Sequence, residues 1–223
     1  MAKLESVKSN SLDYHNEHDN DKAVYNTLKR IVDLICSCLA LVLFLPIFLI
    51  IAIAIKIDSK GPVFFGHKRI GQDGKIIKVY KFRSMVINSA EVFKNFTPKQ
   101  KAEFEKNFKL ENDPRITKVG DFLRKTSLDE LPQLLNIIIG NMSIVGPRPI
   151  VEKEKVKYGR YMQKMVSVKP GLTGYWQAHG RSDTTYDERV QMDMYYIDNR
   201  STLLDFKIIV KTFLSVIKKE GAM

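Results

Sequence analysis

Three short stretches of this chain combine residue types that could do chemistry on an anionic substrate. The first is Ser127-Leu128-Asp129-Glu130-Leu131-Pro132-Gln133, two adjacent carboxylates at the opening of an apolar run that reads as a helix. Ser127 with Glu130 three residues on is a capping box, in which each side chain satisfies a backbone amide left open at the helix end. Asp129 is not needed for the box. In the first turn the helix dipole favours a carboxylate and keeps it ionised, so Asp129 could be a nucleophile toward phosphorus or a metal ligand. The box alone accounts for Glu130 without catalysis, and the spacing leaves these readings open.

The second stretch, Asn141–Pro149, encloses Arg148 between Gly146, Pro147 and Pro149. The prolines fix the backbone and with it the origin of the guanidinium fork, which suits bidentate recognition of a phosphate. The third, Lys169-Pro170-Gly171-Leu172-Thr173-Gly174-Tyr175-Trp176-Gln177, is a Pro-Gly turn followed by the single tryptophan and running on to Gly180-Arg181. Plain turn chemistry explains both about as well. Histidines 15, 18, 67 and 179 show no metal-ligand spacing, and no Walker-type or dinucleotide glycine loop is present.

The elements that must hold these residues follow from periodicity. Asp58-Ser59-Lys60-Gly61-Pro62 is a turn, Val63-Phe64-Phe65 a short strand, and Gly71–Gly74 a hairpin-type turn into a strand over Lys75–Met85. On that strand Lys81 and Arg83, two apart, share a face. Residues 91–109 and 203–219 read as basic amphipathic helices, which could lie in a membrane interface or pack on the domain core.

Leu34–Ile55 is a run of 22 residues without a charge, about 33 Å as a helix and long enough to cross a bilayer. Pro46 lies near its middle and removes a backbone hydrogen bond. Basic residues flank both ends, Lys29 and Arg30 before and Lys56 and Lys60 after, so the positive-inside rule gives no vote for crossing. A helix broken at Pro46 that enters and leaves by one face accounts for both features. A kinked span accounts for them equally well.

The whole chain has 223 residues, 44% of them apolar and 10% aromatic, which excludes wholesale disorder. Its net charge of +11 points to an anionic partner: nucleic acid, a phosphorylated substrate or a membrane surface. Residues 1–21 are polar and net acidic, and read as a loose tail. Cys36 and Cys38 sit two apart in the apolar run, where a helix aims them in different directions, so no bridge is expected. The expected division is a polar tail (1–22), a membrane helix (23–60) and a catalytic domain (61–223).

Lys29-Arg30…Asp33 before a Pro-containing apolar run, Lys81-Phe82-Arg83-Ser84-Met85, Asn112-Asp113-Pro114-Arg115-Ile116-Thr117, Leu123-Arg124, Ser127–Gln133, Val145–Pro149, Lys169–Gly174 and Gly180-Arg181 occur in this order. The chain thereby resembles the bacterial sugar transferases, monotopic phosphoglycosyl transferases that start exopolysaccharide, capsule or glycoprotein glycan assembly. The likeness covers about residues 28–221. Some members carry four further spanning helices, and this chain resembles the minimal catalytic form.

The resemblance implies an α/β fold, mostly helical with a small β element. It implies a monotopic protein on the cytoplasmic face of the bacterial cell membrane, with a re-entrant helix broken at Pro46 and interfacial amphipathic helices. Its activity would move a sugar 1-phosphate from a UDP-sugar to undecaprenyl phosphate and release UMP, with Mg²⁺. UDP-galactose or UDP-glucose is the expected donor. Asp129 maps to the nucleophile and Glu130 to the metal support, with Asp129 beside it. Arg124 and Arg148 map to phosphate contacts, and Lys81 and Arg83 are grouped with them. Asp193, before Met194-Tyr195-Tyr196, is a weaker transfer, and Arg181, Gly146 and Pro147 are expected to support the site. Partners are then the UDP-sugar, polyprenyl phosphate and membrane lipid, without nucleic acid; a homodimer is left open. Relatives often have Ser directly before the helix-breaking proline, where this chain has Leu45. The rival class is a membrane-anchored binding protein without turnover. It fits the charge but leaves the Asp-Glu pair and the Gly-Pro-Arg-Pro turn unexplained.

Overall fold

The uncharged run lies in one long helix, α1 (Ala2–Asp58), in the computed structural model of the chain. The structure describes residues 2–107, 110, 112–180 and 184–217, with side chains described except at 2–21, 105–107 and 216–217. The helix begins inside the stretch expected as a loose tail. It also continues through Pro46 as a single helical element. Pro46 forfeits one backbone hydrogen bond. Phe44, Phe48, Ile51 and Ile55 pack with Phe82 and Leu123 on both sides of it and hold the helix across the gap.

One stripe of α1 is fastened to the rest of the chain along its length. Tyr25 and Lys29 donate to Asp205 at 3.0 and 2.6 Å. Arg30 donates to the carbonyls of Ile137 and Ile138 at 2.6 and 2.9 Å, and the Asp33 carboxylate accepts from the Ile144 amide at 2.9 Å. At the far end Asp58 accepts from the Val119 amide at 3.1 Å. Spacings of three and four residues keep these groups on one helix face. The opposite face is apolar and exposed, with Val42, Leu43, Ile50, Ile53 and Ile57 among its residues.

After α1 comes an antiparallel hairpin, β1 (Phe64–Ile70) and β2 (Ile76–Phe82), pairing Phe65 with Lys81, His67 with Val79 and Arg69 with Ile77. The expected helix over 91–109 is two, α2 (Ser89–Lys94) and α3 (Pro98–Asn107). Pro98 cannot continue a helix from Thr97, and the residue before a proline avoids the helical region. Phe93, Phe96 and Phe104 do not face outward: they surround the Arg115 guanidinium at 5.0–5.3 Å, and Arg115 also pairs with Asp113 at 2.6 Å. Phe108 and Lys109 lie outside the described residues.

Helices α4 (Lys118–Lys125) and α5 (Gln133–Ile139) follow, then β3 (Ser143–Val145), α6 (Lys155–Tyr158), α7 (Met162–Val166), β4 (Gly171–Thr173) and α8 (Tyr175–His179). The strands β3 and β4 pair in parallel. The chain ends with α9 (Tyr186–Asn199) and α10 (Thr202–Ile217). The described chain is thus mostly helical, as the resemblance implied, with two small sheets where one β element was expected. Its largest core joins Val145, Ile150, Tyr158, Met194, Tyr196 and Ile208. Helix α10 buries Ile208 but exposes Leu203, Phe206, Val210, Phe213 and Leu214 beside Lys207 and Lys211. Cys36 and Cys38 are free.

Candidate active site

The carboxylate pair sits on a single 3-10 turn, Leu128–Glu130, between α4 and α5. The expected capping box is absent. Ser127 is left-handed (φ 57°) and its side chain caps nothing, because its amide closes the end of α4 by donating to the Arg124 carbonyl at 3.2 Å. An N-cap needs an extended backbone, and Ser127 spends its conformation on turning the chain. Glu130 is therefore released from structural duty. Leu128 and Leu131 anchor the turn in the cluster around Phe82 and Leu123.

Lys81, at the end of β2, reaches both carboxylates: its Nζ donates to Glu130 Oε1 at 2.6 Å and to Asp129 Oδ2 at 3.2 Å. Asp129 is buried, and Glu130 is half-buried. Burial pushes the Asp129 carboxyl above the usual range; Lys81 and Arg124 oppose that shift, and the charge on Glu130 adds to it. A dipole effect is not what governs this group, since a three-residue turn has almost none. Burial also pushes Glu130 up, but Lys81, Arg148 and Arg69 outweigh it and hold that carboxyl below the usual range.

Arg124 stands in the last turn of α4, with its Nε donating to Ser84 Oγ at 2.9 Å and its charge acting on Asp129. A side chain at Gly120 would place its Cβ about on top of the Ser84 carbonyl, 2.1 Å from the oxygen. This close approach of α4 to the chain after β2 brings Arg124 to the pair. Arg148 leaves the Gly146–Pro149 turn 6.0 Å from the Trp176 ring. Buried Gly146 and Pro147 lock that turn: the Gly146 amide donates to Thr173 and the Pro147 carbonyl accepts from Gly171, both at 2.9 Å. The two motifs read separately in the chain are thus one structure. Among the described residues the Arg148 guanidinium has no hydrogen-bond partner, and its charge acts on Glu130.

Two expected site residues make their bonds away from the carboxylate pair. Arg83 does not share the Lys81 face. β2 ends at Phe82, and the buried Arg83 turns back to the end of α1 and the residues just after it, donating to the carbonyls of Ser59 at 2.8 Å, Ile55 at 3.3 Å and Lys60. Asp193 is fully buried and accepts from the Tyr158 hydroxyl at 2.7 Å; burial pushes it up to about 6. Arg181 lies outside the described residues.

Other groups flank the pair that the motifs did not single out. His67 and Arg69 alternate on β1 on the same face as Lys81, a pattern the hairpin turn at 71–74 already encodes. Arg69 Nη1 donates to the Pro149 carbonyl at 3.2 Å, Nη2 approaches His67 Nδ1 at 3.2 Å, and Glu154 lies 3.6 Å away. Arg189 shares Glu154 at 3.4 Å and packs between the rings of Trp176 and Tyr186 at 4.7 and 4.9 Å. Among the described residues no three His, Cys, Asp or Glu side chains form a metal cluster. Two hard carboxylates do fit Mg²⁺, which uses one or two carboxylates and completes its shell with substrate phosphates and water. The arrangement is a buried carboxylate with a half-buried neighbour inside a ring of Lys81, Arg69, Arg124 and Arg148. Such a ring can lower the repulsion between a carboxylate and a diphosphate and steady negative charge as it builds on phosphorus.

Residues 24–219 match the family model described as bacterial sugar transferase. The chain is 48% identical over 198 residues to the undecaprenyl-phosphate galactose phosphotransferase of Salmonella typhimurium, a match covering 87% of this chain and 41% of that protein. It is 46% identical over 197 residues to the exopolysaccharide production protein ExoY of Rhizobium meliloti, covering 87% of each chain. It is 43% identical over 204 residues to the UDP-glucose:undecaprenyl-phosphate glucose-1-phosphate transferase of Escherichia coli, covering 87% of this chain and 40% of that protein. The chain spans less than half the length of several curated relatives it matches. With the family model covering nearly all of it and relatives matched at this identity, the chain belongs to the bacterial sugar transferase family.

Proposed function

We propose that this protein transfers a sugar 1-phosphate from a UDP-sugar to undecaprenyl phosphate and releases UMP, as the first membrane step of exopolysaccharide or capsule assembly. Galactose and glucose are the sugars favoured by the names of its relatives, so UDP-galactose or UDP-glucose is the donor proposed. The observation that carries the reading is the buried Asp129 carboxylate, bonded to Lys81 and facing the charge of Arg124. A binding protein gains nothing from burying a carboxylate among cations that its anionic ligand would need.

In the first step an Asp129 oxygen attacks the phosphorus that bears the sugar. The bond from that phosphorus to the bridging oxygen breaks, and UMP leaves with the oxygen and its electron pair. In the second step an oxygen of the polyprenyl phosphate attacks the same phosphorus, and the Asp129 carboxylate leaves with its electrons. Two steps let a soluble and a lipid substrate use one site in turn. Lys81 holds Asp129 ionised before attack, and Arg124 and Arg148 orient phosphate oxygens. Glu130, with Asp129, would hold Mg²⁺, which supplies charge neutralisation to the diphosphate.

The reading places the protein on the cytoplasmic face of the membrane, and the disposition of α1 supports a monotopic arrangement. Lys29, Arg30 and Asp33 before the apolar run and Asp58 after it are all fastened to the domain that carries Asp129. A helix crossing to the far side would carry one of these polar ends away from its partners. The exposed apolar rows of α1 and α10, with Lys207 and Lys211 beside the latter, suit a leaflet surface. The test is incubation of the membrane-bound enzyme with UDP-sugar and Mg²⁺ but no polyprenyl phosphate. UMP should appear to about one equivalent of enzyme and leave sugar phosphate on Asp129. An Asp129→Asn variant that still forms the adduct would overturn the assignment.

A further inference from the structure

His67 has no part in the chemistry above, yet its hydrogen bonding leaves it a defined role. Its Nδ1 lies 3.2 Å from Arg69 Nη2. A guanidinium keeps its protons at any ordinary pH and has no acceptor, so Nδ1 must accept. The imidazole is then neutral and carries its single proton on Nε2. Desolvation and the charges of Arg69, Lys81 and Arg148 push its pKa down to about 4, which agrees with that assignment. Among the described residues nothing pairs with Nε2. The ring stands on the same face of the hairpin as Lys81, whose strand partner Phe65 is two residues away, so it lies beside the cationic ring.

We infer that His67 is a substrate-contact residue, whose neutral Nε2–H donates a hydrogen bond to a non-bridging phosphate oxygen of the nucleotide-sugar diphosphate. The inference rests on the proposed transfer reaction. The side chains whose charges act most strongly on Glu130 are all cations: Lys81, Arg148 and Arg69. A fourth cation would be repelled by these three, whereas a neutral donor adds a directed bond without adding charge. It holds the diphosphate in one orientation.

Two amide substitutions separate contact with substrate from support of Arg69. The Gln amide nitrogen reaches about where Nε2 stands, and the Asn amide reaches about where Nδ1 stands. UDP binding with Mg²⁺ by calorimetry, and KM and kcat for UDP-sugar, are measured for wild type, His67→Phe, His67→Gln and His67→Asn at matched melting temperature. The expected result is that Phe and Asn weaken UDP and raise KM by about tenfold or more, the range for a hydrogen bond to a charged group, while Gln restores most of the loss. Rescue by Asn and not by Gln would make His67 a support for Arg69. A loss confined to UDP-sugar, with UDP unaffected, would move the contact to the sugar and overturn the phosphate assignment. Wild-type behaviour in His67→Phe would remove the contact altogether. A wild type that releases no UMP would instead count against the transfer reaction itself.

Discussion

Lys81→Met tests whether the lysine acts on the nucleophile or only on the substrate. The lysine is the sole cation within hydrogen-bond distance of Asp129 among the described residues, at 3.2 Å, with side-chain exposures of 23% and 10%. At such burial a bond to an ionised group contributes about 1.5–3 kcal/mol. At 1.36 kcal/mol per factor of ten, its loss lowers the ionised fraction of Asp129 by about ten- to 150-fold wherever the variant's carboxyl is mostly protonated. Burial already holds that carboxyl above the usual range, and the adjacent Glu130 charge, freed of its own 2.6 Å partner, pushes in the same direction. The acid limb of kcat/KM for UMP release should therefore move to higher pH in Lys81→Met. Activity should rise about tenfold per pH unit along that limb until Asp129 is again ionised. Lys81→Arg, which keeps the charge, should leave the limb near its original place. The assay is UMP release from about pH 6 to about pH 9. A Lys81→Met profile that lies parallel to wild type at every pH, merely lower, would refute the reasoning and confine Lys81 to a substrate contact.

Asp129→Asn should stabilise the fold near neutral pH. Its folded-state pKa is raised, so below the ordinary carboxylate range nothing is lost, and stability falls as pH rises through the folded value. The gain in melting temperature should accordingly shrink toward pH 4, and a gain independent of pH would count against burial as the cause. Arg148→Lys keeps the charge but loses the planar fork, so KM for UDP-sugar should rise by about tenfold or more; an unchanged KM would reduce Arg148 to a packing residue against Trp176. Gly120→Ala should cost stability by about 1–3 kcal/mol, as overpacking does, because its Cβ meets the Ser84 backbone, and urea denaturation reads the loss. Pro46→Ala should restore a helical hydrogen bond and stiffen α1; cysteine labelling from outside intact cells near residue 10 should still fail, and strong external labelling in wild type would mean a true span.

Sequence and structure part at particular residues, each for a physical reason. Asp129, Glu130 and Arg148 could be picked out because adjacent carboxylates and a proline-locked arginine are local features. The capping box could not be judged, since Ser127 belongs to the end of α4 and not to the start of α5, and only the three-dimensional path of the backbone shows this. Lys81 and Arg83 share a face only while the strand continues, and it stops between them. His67 and Arg69 were within reach of strand alternation, but the exposed Phe64 and Phe65 beside them blur a hydrophobic-in, polar-out reading. The phenylalanines of 91–109 repeat at helical spacing and suggest a membrane-facing row. Their partner, Arg115, is a charge, and no hydrophobicity pattern reveals a cation enclosed by aromatic rings.

The end of β2 couples the apolar helix to the chemistry. Lys81 and Arg83 are two residues apart, about 7 Å along a strand, and they diverge at Phe82, which is itself buried between Phe48 of α1 and Phe64. One side chain binds the carboxylate pair; the other binds one carbonyl in the last turn of α1 and two just past its end. Ser84, the next residue, orients Arg124 through its hydroxyl and abuts Gly120. Four consecutive residues therefore tie the depth of α1 to the positions of Asp129, Glu130 and Arg124. A lipid phosphate is confined to the membrane surface, so its meeting with Asp129 requires that the nucleophile be set at a fixed height. A short, buried strand end achieves that with little slack, because moving α1 relative to the site would break the Arg83 bonds or expose Phe82. Arg83→Met, which keeps the packing volume but drops the carbonyl contacts, should for this reason slow the second step with polyprenyl phosphate more than the first release of UMP.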